Sequence, residues 1–408
     1  MERRKDSKKR VLKEGEYERA NGTYEYKWRD ANGKRHSIYA KTLEELRDRE
    51  DELFRDMMKG ISFEAKQLSI NDLYNRWKSL KKGLKDNTFQ NYIYLYEQFI
   101  RPNIGNWKIK DIKKSDVRKF YNMLHDERLL KVSTIDSVHT VLHQVLEIAV
   151  EDSLLLVNPA DDAMRELKKV HSSEKEKRKK LSIEEETVFE NFLKKNGQYH
   201  HWYGIFTTLL GTGLRVGEVT GLTWDDISFE EELINVNKTL VYYKKKNGCG
   251  FAINSTKTAA GERTVPMLPK VKEALQIEKK YQEEAGIKCE ANVGGYTNFV
   301  FVNRFGNVQH QGTLNKALRR IIRDCNYEVM DKNEKVLLPR FSCHNLRHTF
   351  TTRLCEAGVN IKAIQSILGH SDAQTTLNIY AEATKELKKR ETQKLDEYLK
   401  KQIRDSFE

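Results

Sequence analysis

Four separate segments in the last half of the 408-residue chain hold side chains that could bind an anion, move a proton and supply a nucleophile. The first reads Gly211-Thr212-Gly213-Leu214-Arg215-Val216-Gly217-Glu218. Ile205, Phe206, Leu209 and Leu210 bring an apolar helix up to this glycine turn, and a second helix is expected to start near Arg215. Glycine allows a tight backbone approach, and an arginine at a helix start stands at an anion-friendly end. Glu218, three residues on, could orient the guanidinium. In the second segment, Thr256-Lys257-Thr258, a strand leads into an Ala259-Ala260-Gly261 turn, and Arg263-Thr264-Val265-Pro266 returns. A lysine there is either simply solvated or delivered into a groove, where its ammonium can donate a proton.

The third segment, Cys343-His344-Asn345-Leu346-Arg347-His348-Thr349, discriminates most. On a helix, His344 and Arg347 are three apart and share a face. His344 and His348 are four apart, which also fits a metal-binding helix. A zinc-protease helix needs Glu directly after the first His, however, and Asn345 stands there; Arg347 would set a cation beside the metal. In the fourth segment, Ile361, Ile364 and Ile367 form a helical stripe that Gly369 ends. His370 follows, and Tyr380 lies ten residues further, on a helix expected from about Ala373 that also carries Leu377. A lone tyrosine among apolar neighbours is ordinarily core. Its company changes that reading.

Arg215, Lys257, His344 with Arg347, His370 and Tyr380 resemble, in type and order, the signature of the tyrosine recombinase (phage integrase) family, and every position is filled. The resemblance implies chemistry on a DNA phosphodiester. Arg215 and Arg347 would pair with the non-bridging oxygens and strengthen as charge grows in the pentacoordinate transition state. Tyr380 would attack and form a covalent 3′-phosphotyrosine, releasing a 5′-hydroxyl. His344 is the candidate general base, Lys257 would protonate the leaving oxygen, and His370 would hydrogen-bond a phosphate oxygen. Exchange of one phosphoester for another conserves bond energy, so no cofactor, neither ATP nor a metal, is expected. The resemblance further implies a Holliday junction, a homotetramer on double-stranded DNA carrying attachment core and arm sites, and an excision accessory protein as a further partner.

The elements that must position these groups follow from periodicity. Tyr24, Tyr26 and Trp28 alternate with Glu25, Lys27 and Arg29, the period of a half-buried strand. Asn21-Gly22 and Asn32-Gly33 are hairpin turn signals around it, a second strand is expected over 36–40, and Leu43, Leu46, Leu53, Phe54 and Met57 then recur at helical spacing. A sheet of this kind can enter a major groove; Arg3, Arg4, Lys27, Arg29, Lys34 and Arg35 are the candidate DNA contacts, with a solvated charged face as the alternative. Four helices are expected next: one from about Leu68 capped by Ser69 or Asn71, one over 87–100 stopping at Pro102, and two near 115–127 and 133–152. Lys108, Lys110, Lys113 and Lys114 lie between them, and Lys113 and Lys114 are further candidate phosphate contacts. After a charged run, helices dominate apart from strands near 233–243 and a hairpin over 251–267.

The expected architecture is mainly α and multidomain, and the resemblance implies what each part is. A small three-stranded sheet plus helix forms an N-terminal arm-type DNA-binding domain (1–62), followed by a four-helix core-binding domain (66–168). A basic linker (169–180) leads to a mixed α+β tyrosine-recombinase catalytic domain with a C-terminal tail (181–408). The same succession is the layout of integrases of conjugative transposons. The tail, over 387–403, could dock on a neighbour or pack on its own chain.

Composition agrees without deciding. The formal net charge of +13 favours polyanion partners, because phosphate contacts release condensed counterions. No stretch is long and apolar enough to span a membrane, and the charged first ten residues lack a signal-peptide core. Five cysteines with no CxxC spacing fit reduced thiols in a cytosol, and with the resemblance the expected setting is a bacterial cytoplasm. The leading function is site-specific recombination for a mobile element. The alternatives are a type IB topoisomerase-like enzyme, which shares the chemistry without exchanging partners, and a DNA-binding regulator that does not cut. A metal-dependent hydrolase is the third, and it predicts inhibition by chelators.

Overall fold

The computed structural model describes residues 4–29, 33–58, 67–171, 180–245, 248–255, 261–333 and 335–369, with Leu377 and Thr392. It divides into two units, Met1–Lys175 and Glu176–Glu408.

The first unit opens with the alternating strand. β1 (Glu16–Glu18), β2 (Tyr24–Arg29) and β3 (Arg35–Ala40) form an antiparallel sheet in that order, with Tyr26 opposite Ile38 and Trp28 opposite His36. The even-numbered face of β2 packs Tyr24 and Tyr26 against Leu43, Leu46 and Leu53 of α1 (Leu43–Met58), as period-two and helical spacings require when they meet across one core. Phe54 and Met57, expected on that face, are exposed instead, though the Phe54 ring still meets the edge of Tyr26.

The helical module follows. Ser69 caps α2 (Ile70–Leu80) in a reciprocal capping box with Asp72, satisfying two helix-start groups at once. α3 (Asp86–Leu95) does not stop at Pro102. It runs into a π-helical turn (Tyr96–Ile100) and a short α4 (Arg101–Ile104). Proline cannot donate an i→i−4 bond, and the ladder shifts register just before it, the Arg101 N–H donating to the carbonyl of Tyr96 five residues back. α5 (Lys114–Asp126) and α6 (Val132–Glu151) lie within a residue of their expected limits. α7 (Arg165–Val170) is an additional helix in the charged run, and Leu167 anchors it to the module's core.

In the second unit, α8 (Ile183–Lys195) and α9 (Tyr203–Thr212) lead to α10 (Val216–Thr220). The strands then differ from expectation. β4 (Ile227–Ser228), β5 (Leu233–Val236) and β8 (Arg263–Pro266) make one sheet, whereas β6 (Lys238–Lys245) and β7 (Gly248–Ser255) make the hairpin, Lys238 opposite Ser255. The hairpin over 251–267 is thus corrected to 238–255. Lys245 stands opposite Gly248 at the end of that hairpin, and β8 returns to β5 because Val265 belongs in the core beside Ile234. α11 (Pro269–Glu284), α12 (Gln311–Asp331), α13 (Cys343–Glu356) and α14 (Ile361–Leu368) complete the described fold around a core that includes Phe189, Phe206, Leu209 and Ile321. No helix among the described residues is long and apolar enough to cross a membrane.

Candidate active site

The apolar residues of α9 are buried along its whole length, which drives the helix through the middle of the unit and fixes the turn at its end. Gly213 makes that turn at φ 62°, and a Cβ there would stand 2.4 Å from Cδ1 of Phe350, so both the backbone angle and the packing call for glycine. Two residues on, Arg215 is the N-cap of α10. Its backbone N–H donates to Oε2 of Glu218 at 2.8 Å and its Nη1 to Oε1 at 2.8 Å, the orientation expected from the spacing.

Arg347 comes to the same place from α13. One of its guanidinium nitrogens donates to the carbonyl of Gly213 at 2.6 Å and the other to the carbonyl of Leu368 at 2.8 Å. Arg215 Nη2 donates to the neighbouring carbonyl of Gly369 at 3.1 Å. Two arginines 132 positions apart in sequence therefore grip adjacent carbonyls at the end of α14. Gly369 ends α14 in the left-handed region, φ 63°, as its place after the isoleucine stripe predicts. His344 lies one helical turn before Arg347 on α13 and is exposed, whereas Arg347 is 5% exposed.

The electrostatics suit an anion. Burial lowers the Arg347 guanidinium, and the charges of Arg215 and Arg263 lower it further, to about 9, which still leaves it protonated at neutral pH. Burial raises the Glu218 carboxyl, but the hydrogen bond from Arg263 and the charges of Arg263 and Arg215 outweigh this and hold it below the usual carboxylate range. One carboxylate thus stands among three guanidiniums, a local excess of positive charge. In the sequence Arg263 stands out only as part of a returning strand. Its partner Glu218 is 45 residues away, and no local spacing connects them.

Lys257, His370 and Tyr380 lie outside the described residues, as does Arg3. The helix expected from Ala373 and the tail over 387–403 fall there too, apart from Leu377 and Thr392. Of the remaining candidate contacts, Lys27 projects from the outward face of the N-terminal sheet and stacks over Tyr17 at 5.0 Å, with Arg4 over the same ring at 4.7 Å. Arg29 and Arg35 face each other across β2 and β3 and are exposed, as is Lys34. Lys113 is the residue before α5, and Lys114 lies 3.6 Å from Asp162. Lys110 is held by Glu52 and Asp56, and Lys108 donates to the carbonyl of Gln67, so these two are tied up within the unit. Among the described residues no group of three or more His, Cys, Asp or Glu side chains is placed to hold a metal ion.

Comparison with known proteins supplies independent context. The phage integrase family model matches residues 179–386, a DNA-binding-domain model of the Tn916 integrase matches 1–57, and the SAM-like N-terminal domain model of phage integrases matches 69–125. The transposase from transposon Tn916 of Enterococcus faecalis is 31% identical over 94% of both chains. The transposase from transposon Tn1545 of Streptococcus pneumoniae shows the same identity and coverage. Among solved structures, the integrase of transposon Tn1549 in complex with transposon right end DNA superposes with a TM-score of 0.70 at 30% identity, covering 81% of this chain and all of that one. A lambda integrase tetramer bound to a Holliday junction shares the fold, with a TM-score of 0.51 at 17% identity over 90% of this chain and 94% of that one.

Proposed function

Because the chain belongs to the phage integrase family and is a tyrosine recombinase of the conjugative-transposon type, we propose that it integrates and excises a mobile DNA element through the residues at Arg215 and Arg347. The observation that carries this assignment is the convergence of those two guanidiniums on adjacent carbonyls immediately before His370. They would clamp the non-bridging oxygens of the scissile phosphate, where fixed donors act most strongly on the charge of the transition state. Tyr380 attacks the phosphorus, its proton passing to His344, and a 3′-phosphotyrosine forms. Lys257 protonates the departing 5′-oxygen, and His370 donates to a phosphate oxygen. A second strand's 5′-hydroxyl then reverses the step on a new partner. Four protomers on two DNA sites, passing through a Holliday junction, are the assembly we assign to this reaction.

The division into 1–62, 66–168, a linker and 181–408 is our reading of which parts bind what. The outward face around Lys27, Arg29, Lys34 and Arg35, with Arg3 and Arg4, meets arm sites; Lys113, Lys114 and the helical module meet core sites. An excision accessory protein and a bacterial cytoplasmic setting belong to the same reading. No observation favours relaxation without exchange, or binding without cutting.

A nicked suicide duplex bearing the element's attachment site tests the reading. The chain is expected to become covalently attached to it, with or without chelator, and Tyr380→Phe to form no adduct. An adduct that persists in Tyr380→Phe, or one that chelator abolishes, overturns the assignment.

A further inference from the structure

Three guanidiniums converge on the end of α14. Arg263 Nε donates to the carbonyl of Ile367 at 2.6 Å, Arg347 to that of Leu368 at 2.8 Å and Arg215 to that of Gly369 at 3.1 Å. They take three consecutive carbonyls at a helix C-terminus, where acceptors lack intrahelical partners and the helix dipole favours positive charge.

Arg263 differs from the other two in what else it holds. Its Nη1 reaches Glu218 Oε1 at 3.3 Å and the carbonyl of Gly261 at 3.0 Å, and its Nη2 reaches Glu218 Oε2 at 3.0 Å. With the bond from Nε, protein acceptors engage four of the five N–H groups a guanidinium has, and the side chain is 5% exposed against 44% for Arg215. With one N–H left, Arg263 has little to offer a substrate phosphate, whereas Arg347, just as buried, gives only two of its five to the carbonyls of Gly213 and Leu368. Glu218 carries one negative charge, and it is bonded to both Arg215 and Arg263. Without Arg263, that nearly dry carboxylate would pair with Arg215 alone, and attraction in such surroundings is strong. It would then compete with the phosphate for Arg215.

We propose that Arg263 is a positioning residue of the strand-cutting reaction. It neutralises Glu218 so that Arg215 keeps its charge for the phosphate, and it pins Ile367 so that the segment entering His370 starts from a set place. The inference rests on the reading of Arg215 as a phosphate ligand. It does not require Arg263 to touch DNA.

The test is single-turnover adduct formation by the full chain on a nicked suicide duplex carrying the joined ends of its element, with R263M, R263K, R263M/E218Q and R215A compared. R263M is expected to slow adduct formation by about 10- to 100-fold, a loss smaller than or equal to that of a direct donor. Its Kd for the same duplex should stay within roughly threefold of the unsubstituted chain, since no phosphate contact is removed. The double variant should cleave faster than R263M by about threefold or more, because it removes the carboxylate that would otherwise hold Arg215 away from the phosphate. R263K keeps the charge without the fork and should fall between R263M and the unsubstituted chain. A R263M rate equal to that of the unsubstituted chain overturns the proposal, as does a double variant no faster than R263M. Should R263M fail to fold, R263K decides: an intermediate rate supports the proposal, and a rate as low as that of R215A overturns it. Normal cleavage by R215A would instead overturn the reading of the site, whereas inactive R215A beside unaffected R263M removes this inference alone.

Discussion

At the scale of the residue, the behaviour of the site follows from one buried carboxylate and the cations around it. Glu218 is 3% exposed, and Arg263 and Arg215 hold its pKa below the ordinary value. A group depressed on folding contributes stability that is present above its unfolded pKa and is lost as pH falls through the folded one. Thermal unfolding of the full chain should therefore lose a transition component below the usual carboxylate range, and Glu218→Gln should flatten that acid limb while lowering stability at neutral pH. An acid limb unchanged in the variant would show that other carboxylates control it. For Arg347, replacement by Ala should slow adduct formation by about 10²–10³, the usual cost of a transition-state donor. Lys should recover little of that, because it cannot fork onto two acceptors. Cleavage rates on the same nicked duplex check both.

At the scale of the element, the turns and caps set where these groups stand. Gly213 joins α9 to Arg215 at positive φ with no room for a Cβ beside Phe350. Gly213→Ala should destabilise the chain by roughly 1–3 kcal/mol, the range for strained backbone, and reduce cleavage by displacing Arg215; denaturant unfolding measures the first effect. In the helical module, Ser69→Ala removes a cap worth about 1 kcal/mol, without touching the catalytic residues, so cleavage rate at saturating DNA should hold. The N-terminal element carries a different device. Glu50 of α1 is 2% exposed, its Oε1 has no hydrogen-bond partner among the described residues, and burial with the nearby charge of Glu16 raises its carboxyl to about 7. A raised carboxyl pKa gives stability that is fully present below the unfolded value and is lost as pH rises through about 7. Glu50→Gln should thus stabilise the sheet-helix element more at pH 8 than at pH 5, read as slower proteolysis within 43–58. An equal effect at both pH values would remove the charge explanation.

At the scale of the whole molecule, a formal charge of +13 predicts that binding to element DNA weakens steeply with salt, log affinity falling linearly with log salt. Fluorescence anisotropy across 50–300 mM salt measures it, and a flat response would sink the phosphate-contact account. Much of the molecule was legible beforehand because it obeys local rules. Alternation and helical spacing located β2, α1, α2, α5, α6 and α14, since burying one face imposes its period on the sequence. The residues proposed for the site, from Arg215 to Tyr380, are readable as types in order, because phosphodiester exchange would call for those types whatever surrounds them. What local rules could not reach were pairings between distant strands and ion pairs between distant side chains. Local pattern does not place the hairpin at 238–255, because several strands of similar pattern compete for partners, and only the shared core chooses β5 for β8. Pro102 is locally a stop signal, although the tertiary packing of Tyr96 and Ile100 carries the helix through a π turn. The sequence by itself determined which groups are the candidates for the chemistry. Only the tertiary structure decided that Arg215, Arg263 and Arg347 share one carboxylate environment and three successive carbonyls, because the energy of such an arrangement depends on distance in space, which separation along the chain does not encode.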